Sequence, residues 1–296
     1  MAEPSESGPG SKRRGAHPGD GLLSIVATPI GNLGDISARA LETLRAADLI
    51  ACEDTRVTGK LLAHFGIRRS TLPYHDHNAA EMRPKLIERL RSGEKIALVS
   101  DAGTPLISDP GYKLVRQASE SGIAVTVIPG PSAPLAALVL SGLPSDRFLF
   151  AGFLPAKDGA RRTALQELKS VPATLLLFET GPRLADSLEA CYAVLGGREA
   201  AVVREITKLH EEVRRGTLES LARHYGDSGP PKGEIVLVIA PPTEQEAAFD
   251  LDTALTDALR EMSTKEAAAT VATASGRPRR EVYARALALA GRRTER

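Results

Sequence analysis

Residues 95–134 read KIALVSDAGTPLISDPGYKLVRQASESGIAVTVIPGPSAP. Lys95–Ser100 is a short apolar run of strand length, Tyr112–Ser121 carries apolar residues at helical spacing, and Ala124–Ile128 is a second short apolar run. Strand, helix and strand in that order make a βαβ unit, whose two strands lie parallel in one sheet. Glycine- and proline-rich stretches follow both strands: Ser100–Gly111 and Ile128–Pro134. Such residues fix sharp turns and let backbone approach a ligand closely. In a parallel sheet, ligands gather outside the carboxyl ends of the strands.

The same alternation extends in both directions. Upstream, strands are expected at Leu22–Val26 and Asp48–Cys52, with helices at Ser37–Ala46, Arg56–Phe65 and Asn78–Arg91. A helix at Pro134–Leu140 closes this half, and Ser141-Gly142-Leu143-Pro144-Ser145-Asp146 is a turn-rich break. Downstream, strands are expected at Phe148–Phe153, Thr174–Phe178, Ala200–Arg204 and Ile235–Ile239. Helices fall near Arg161–Lys169, Arg183–Val194 and Leu218–His224. The pattern predicts an α/β fold of two α/β domains, 21–143 and 144–242, each with a mostly parallel sheet.

Residues 243–296 read as a helical appendage. Ser263-x-x-Glu266 is a capping box, with Ala267, Ala268, Val271 and Ala272 as an apolar face behind it. Gly276 ends that helix, Pro278 opens the next, and Val282, Tyr283, Ala286 and Leu287 recur at helical spacing. The result is a helix–turn–helix outline carrying Arg277, Arg279, Arg280, Arg285, Arg292 and Arg293.

Length and composition fit this picture. The 296 residues suggest about two domains, and 38 basic against 37 acidic residues argue against a uniformly basic nucleic-acid coat. Only Cys52 and Cys191 occur, with no CxxC, so a disulfide framework or cysteine zinc site is not expected. Tryptophan is absent and aromatics are 4%, poor material for stacking many bases of a single strand. No apolar run approaches a membrane span. Residues 1–20 lack the apolar core of a signal peptide and read as a disordered tail on a cytoplasmic protein, with Lys12-Arg13-Arg14 either touching RNA or, the favoured reading, simply solubilising.

Three strand-end loops stand out: Ala27–Asp35, Ser100–Gly111 and Ile128–Pro134. None is a phosphate loop, because GxxxxGK[ST] and GxGxxG are absent from them. The second offers Asp101 and Asp109 beside Ser100, Thr104 and Ser108, acceptors suited to a ligand with amine, hydroxyl or cationic groups.

The motifs TPIGNLGDIS (28–37), EDTRVTGKLL (53–62), HDHN (75–78), LVSDAGTPLISDPG (98–111), IPGPSA (128–133), GLPSDRFLFAGFLP (142–155) and KGEIVLV (232–238) occur in one order. Together they resemble the tetrapyrrole methylase (class III methyltransferase) family, in its 16S rRNA cytidine 2′-O-methyltransferase branch. The resemblance covers roughly 22–290. It implies two α/β domains with S-adenosylmethionine in the cleft between them, usually in a homodimer. It also implies a cytidine ribose 2′-hydroxyl in the decoding region of the small ribosomal subunit as acceptor. Position by position, Asp101, Ala102, Gly103 and Thr104 stand where the family's cofactor loop lies, and Pro29, Ser132 and Ala133 where the neighbouring loops close on it. Tetrapyrrole-methylating relatives typically show Gly-Asp-Pro where this chain has Gly103-Thr104-Pro105, and a Gly-Pro-Gly-Asp first loop where it has Thr28-Pro29-Ile30-Gly31-Asn32. Glu179-Thr180-Gly181-Pro182-Arg183 departs from the rRNA branch, in which a His precedes the Arg.

For proton transfer from a hydroxyl the candidates are Asp54, which reads equally as a helix N-cap, and Glu179, which reads also as a carboxylate bonding its own loop. Candidates for the RNA are Arg56, His75, His77, Lys157, Arg161 and Arg162. His75-Asp76-His77 lacks a third ligand, so no metal is expected, and its imidazoles either meet substrate or a second subunit or pack the loop. The basic run at 157–162 reads either as phosphate contact or as a solvated helix start. Two other readings remain on the residues alone: a tetrapyrrole methyltransferase, and a DNA-binding regulator using the C-terminal helices. The latter has arginines but no Asn or Gln on its second helix for adenine readout.

Overall fold

The computed structural model describes residues 21–107, 111–242, 251–275 and 278–291. The 1–20 tail, Ser108, Asp109, Gly276, Arg277, Arg292 and Arg293 lie outside the described residues. The chain divides into two compact units. One takes residues up to Ala137 together with Glu205–Glu212, and the other takes Leu138–Arg204 and Val213 onward.

The first unit contains β1 (Leu22–Val26), α1 (Ala38–Ala46), β2 (Leu49–Cys52), α2 (Thr55–His64), β3 (Thr71–Pro73) and α3 (Ala79–Arg91). β4 (Lys95–Val99), α4 (Tyr112–Glu120) and β5 (Ala124–Ile128) follow, and then α5 (Ala133–Ser141), whose residues from Leu138 belong to the second unit. The sheet order is β3-β2-β4-β1-β5, and every pairing is parallel. Period-2 alternation divides the central strands between two cores. Leu23, Ile25, Leu49, Ala51, Ile96 and Leu98 pack on one face. Val26, Ile50, Cys52, Ala97 and Val99 pack on the other. A sheet covered on both faces accounts for strands that are apolar throughout rather than alternating. Helix starts are set by side chains: Ser37 Oγ accepts the Ala40 N–H at 3.1 Å and so caps α1.

The second unit holds β6 (Phe148–Phe153), α6 (Asp158–Leu168), β7 (Thr174–Thr180), α7 (Gly181–Leu195), β8 (Glu199–Arg204), β9 (Glu212–Thr217), α8 (Leu218–Ser228) and β10 (Glu234–Ile239). Its sheet, β6-β7-β10-β8-β9, corrects the expectation of a mostly parallel arrangement. β6 and β7 are parallel, but β10 enters between β7 and β8 antiparallel to both. A fully buried strand reads the same in either direction, so periodicity carries no sign of this. Two short edge strands, β3 and β9, also escaped the pattern. β3 is three residues long and ends in proline, and β9 (EVRRGT) is charged, as exposed edges are.

The C-terminal helices are α9 (Leu251–Glu261), α10 (Thr264–Ser275) and α11 (Arg279–Gly291). They share a core of Leu255, Ala268, Val271, Ala272, Val282 and Ala286. The capping box is formed: Ser263 N–H donates to Glu266 Oε2 at 3.1 Å, and Glu266 N–H to Ser263 Oγ at 3.4 Å. Val282 and Ala286 are buried, whereas Tyr283 and Leu287, which share their helical spacing, are exposed. They lie four residues apart, one position on from the Val282–Ala286 stripe that faces α9 and α10. Among the described residues no helix is long and apolar enough to cross a membrane.

Candidate functional site: strand-end loops of the first unit

The three loops singled out by composition meet at the carboxyl ends of β1, β4 and β5. Thr28 and Gly103 exchange both backbone hydrogen bonds, at 2.9 and 3.1 Å. Thr28 Oγ1 donates to the Ser100 carbonyl at 3.1 Å, and Thr104 Oγ1 to the Pro131 carbonyl at 3.3 Å. The first loop is therefore tied to the second, and the second to the third. Gly103 adopts φ 77°, and a Cβ there would sit 3.3 Å from Ile30 Cγ2. A Cβ on Gly130 would lie 2.9 Å from that of Ala27. Backbone approaches this close need glycine. Leu106, a non-glycine residue, also holds φ 75° in the second loop. Strain of this kind persists only where surrounding contacts over-determine the backbone. Pro29, Asp101, Ala102, Gly103, Thr104, Ser132 and Ala133 all belong to this laced set, with Pro29 and Gly103 buried and Ala102 exposed.

Asp101 bridges to the neighbouring strand end. Its Oδ1 accepts the Asp54 N–H at 3.0 Å. Burial raises its pKa, and that hydrogen bond opposes the rise. Asp54 itself is the N-cap of α2. It accepts the Arg56 N–H at 2.7 Å and holds the Arg56 guanidinium at 2.6 Å. The hydrogen bonds from Arg56 hold the Asp54 carboxyl at about 2, well below the ordinary range. A carboxylate so committed is a weak base.

Beside them stands Glu53, which nothing in its sequence context sets apart from Asp54. Burial raises its pKa first, then the charges of Asp101 and Asp76. His75 and Asp76 follow β3, the neighbour of β2, so the carboxyl ends of β3, β2 and β4 bring these groups side by side. The His75 and His77 rings lie 6.0 Å apart, and His75 is partly buried while His77 is exposed. Among the described residues no group of three or more His, Cys, Asp or Glu side chains gathers at metal-holding range.

A second feature without a signal in the linear reading is the segment Glu205–Glu212. It sits between β8 and β9 in sequence yet belongs to the first unit. Thr207 Oγ1 is 2.6 Å from Asp35 Oδ2, and the Lys208 side chain covers Gly31, where a Cβ would come within 2.4 Å of it. Glu205 and Thr207 both hold positive φ, 51° and 63°, and Leu209 is 93% exposed at the tip.

The second unit's candidates divide. Glu179 is buried: its Oε1 accepts the Thr180 N–H at 2.8 Å and its Oε2 the Ser187 hydroxyl at 2.5 Å. Arg183 Nε stands 3.3 Å from the same carboxylate and Arg183 Nη2 donates to the Leu154 carbonyl at 2.5 Å. This is a carboxylate bonding its own loop. Arg161 corrects the reading of the basic run. Only 4% of it is exposed, it faces inward from α6, and its Nη2 reaches Asp158 at 3.3 Å. A buried guanidinium does not meet phosphate. Lys157 is exposed, and Arg162 is partly exposed and held by Asp158 at 2.8 Å. On α11, Arg279 and Arg280 are exposed, while Arg285 pairs with Asp252 at 2.6 Å.

Comparison with known proteins gives this geometry its place. The profile described as tetrapyrrole (corrin/porphyrin) methylases matches residues 22–222, and that of the RsmI C-terminal HTH domain matches 245–290. The chain is 55% identical to a ribosomal RNA small subunit methyltransferase I of Mesorhizobium japonicum, over 93% of this chain and 94% of that protein. It is 49% identical to the protein of that name from Escherichia coli O157:H7, over 90% and 95% respectively. Among solved structures, a diphthine synthase superposes with TM-score 0.57 at 22% identity, covering 76% of this chain and 92% of that one. A cobalt precorrin-4 methyltransferase superposes with TM-score 0.51 at 19% identity, covering 73% and 93%. Both share the fold. The chain belongs to the tetrapyrrole methylase family, in the branch of the ribosomal RNA small subunit methyltransferase I proteins. It is a methyltransferase, and S-adenosylmethionine is its methyl donor.

Proposed function

We propose that this chain methylates the ribose 2′-hydroxyl of a cytidine in the decoding region of 16S rRNA, in the cytoplasm and as a homodimer. The observation that carries the reading is the laced set of strand-end loops, in a chain about half identical to rRNA methyltransferases over nine-tenths of its length. Pro29, Asp101–Thr104, Ser132 and Ala133 are the residues that would hold the cofactor. They fit it chemically. Carboxylate and carbonyl oxygens suit a cation, hydroxyls suit the ribose and amino-acid ends, and close glycine approaches leave backbone open to a ligand. S-adenosylmethionine supplies a methyl group on a cationic sulfur, which departs as a neutral thioether.

The protein's part is then to fix geometry. Holding acceptor and donor in line contributes several kcal/mol, on the order of 7–11 at best, through effective concentration. The cross-bonded loops are built for such rigidity. For the RNA, exposed Lys157 and His77, partly exposed Arg162, partly buried His75 and exposed Arg279 and Arg280 are the groups offered, and Arg56 presents an exposed guanidinium anchored by Asp54. Exposed Val127 and Leu135, on edge strand β5 and on α5, give a second copy an apolar surface.

The test is transfer of labelled methyl from S-adenosylmethionine to small ribosomal subunits from a strain lacking the activity, with the label located by nuclease digestion and mass spectrometry. Label on a cytidine 2′-oxygen is the expected result. Label on neither subunits nor naked rRNA, with cofactor bound, refutes it.

A further inference from the structure

We propose that Glu53 is the catalytic residue that accepts the proton of the substrate hydroxyl. The inference rests on the ribose-methylation reading above and extends it to the base.

Three carboxylates converge at the carboxyl ends of β2 and β4, and hydrogen-bond accounting separates them. Asp54 is spent on the α2 N-terminus and on Arg56. Asp101 gives Oδ1 to the Asp54 N–H, a bond that ties the two strand ends together, and its remaining oxygen is the one assigned above to the cofactor. Glu53 lies immediately after β2, half-buried, and among the described residues its carboxylate has no hydrogen-bond partner. With Asp101 turned to the cofactor, it is the carboxylate left to act on the acceptor hydroxyl. Its surroundings tune it in the required sense. Burial and the charges of Asp101 after β4, Asp76 after β3 and Asp54 beside it all raise its pKa, while His75 opposes them. A carboxylic acid pushed up from its usual range is a stronger base when ionised, and it approaches the optimum for proton transfer near neutral pH. Alongside it, His75 carries a buried Nδ1 with no hydrogen-bond partner among the described residues.

The step balances. The hydroxyl O–H bond breaks, its proton bonds to a Glu53 oxygen, and the O–H electron pair stays on the 2′-oxygen to form the new bond to carbon. Proton release to solvent then regenerates the carboxylate.

The experiment compares wild type, Glu53→Gln and Glu53→Asp in single-turnover methylation of small subunits from pH 5 to 9. Cofactor and subunit affinities are measured on the same preparations by calorimetry and filter binding. The expected Glu53→Gln rate is about 10²–10⁴-fold lower, with both affinities within threefold of wild type. Wild type should show a rate that rises with pH as Glu53 ionises. That limb should vanish in Glu53→Gln and return, displaced, in Glu53→Asp. A Glu53→Gln rate within fivefold of wild type, or an unchanged acid limb, overturns the assignment. So does a loss that appears wholly in cofactor or subunit affinity. Wild-type label on an atom other than a ribose oxygen overturns the functional reading, and this assignment falls with it.

Discussion

Glu179→Ala tests whether a carboxylate buried in the second unit is structural. Glu179 is 3% exposed, and Ser187, whose hydroxyl it accepts, is fully buried. Truncation leaves that hydroxyl without an acceptor, at a cost of about 1–3 kcal/mol. The void left by the missing carboxymethyl group adds about 1 kcal/mol. The Thr180 N–H belongs to an exposed residue and recovers water. Arg183 Nε is buried 3.3 Å from the carboxylate, so the lost counter-charge places the total toward its upper bound. The sum is about 2–4 kcal/mol, which for a unit of this size lowers the melting temperature by roughly 4–16 °C. Glu179→Gln keeps an acceptor for Ser187 and should cost about half as much or less. Calorimetric and urea unfolding measure both. A Glu179→Ala loss under about 1 kcal/mol refutes the accounting. Abolished methyl transfer in a variant that is folded and binds cofactor at low temperature refutes the structural assignment itself.

Other expectations follow from single positions. A Cβ at Gly181 would stand 1.7 Å from the Pro231 carbonyl oxygen, so Gly181→Ala should destabilise by about 3 kcal/mol or more in the same unfolding assay. Gly159, inside α6 with open space around its Cβ position, should be neutral or up to about 1 kcal/mol more stable as alanine. Asp101→Ala should weaken cofactor binding by calorimetry and also release the Asp54 N–H, whereas Asp101→Asn keeps that acceptor and should preserve the loop. Burial pushes the Cys191 thiol up to about 12 and raises Cys52 as well, so neither should react with a thiol reagent at pH 8 until denaturant is added. The Asp54 carboxyl, lowered from 3.8 to about 2 by Arg56, contributes stability that is present above about pH 4 and lost as pH falls through 2. A carboxyl carbon titration by NMR with a midpoint near 4 would contradict this.

Much of the architecture was legible because local chemistry and tertiary need coincide. The strands of the first unit are continuous apolar runs, and Ser37, Asp54 and the Ser263–Glu266 pair stand where helices start. The loops of the site were legible for the same reason: glycine and proline mark backbone that side chains would obstruct, as at Gly103 and Gly130. Strand direction was not legible, since β10 (EIVLVI) is buried on both sides and pairs with β7 and β8 by a topology that no local pattern encodes. Nor was the attachment of Glu205–Glu212 to the first unit, which depends on contacts such as Thr207–Asp35 across 172 positions of chain. Arg161 illustrates a third limit. Asp158, Arg161 and Arg162 are spaced to pair on a helix, but only the packing of α6 shows that the first arginine is turned inward and the second outward.

The pair Glu53-Asp54 carries that limit into the chemistry. In sequence they are two adjacent carboxylates after a strand, and Asp54 draws attention because Asp is a strong helix cap and stands before Thr55 and Arg56. The backbone resolves them in opposite senses. The residue that best begins α2 must aim its oxygens at the helix's free N–H groups and at Arg56, which lowers its pKa and removes it as a base. The residue before it has no helix to cap, and its burial, followed by the charges of the carboxylates around it, raises its own. A good cap and a good base are therefore incompatible demands on one carboxylate here. If proton transfer is needed at this strand end, the fold requires two acidic residues to divide the work, and the order Glu-Asp at 53–54 assigns the base to the first.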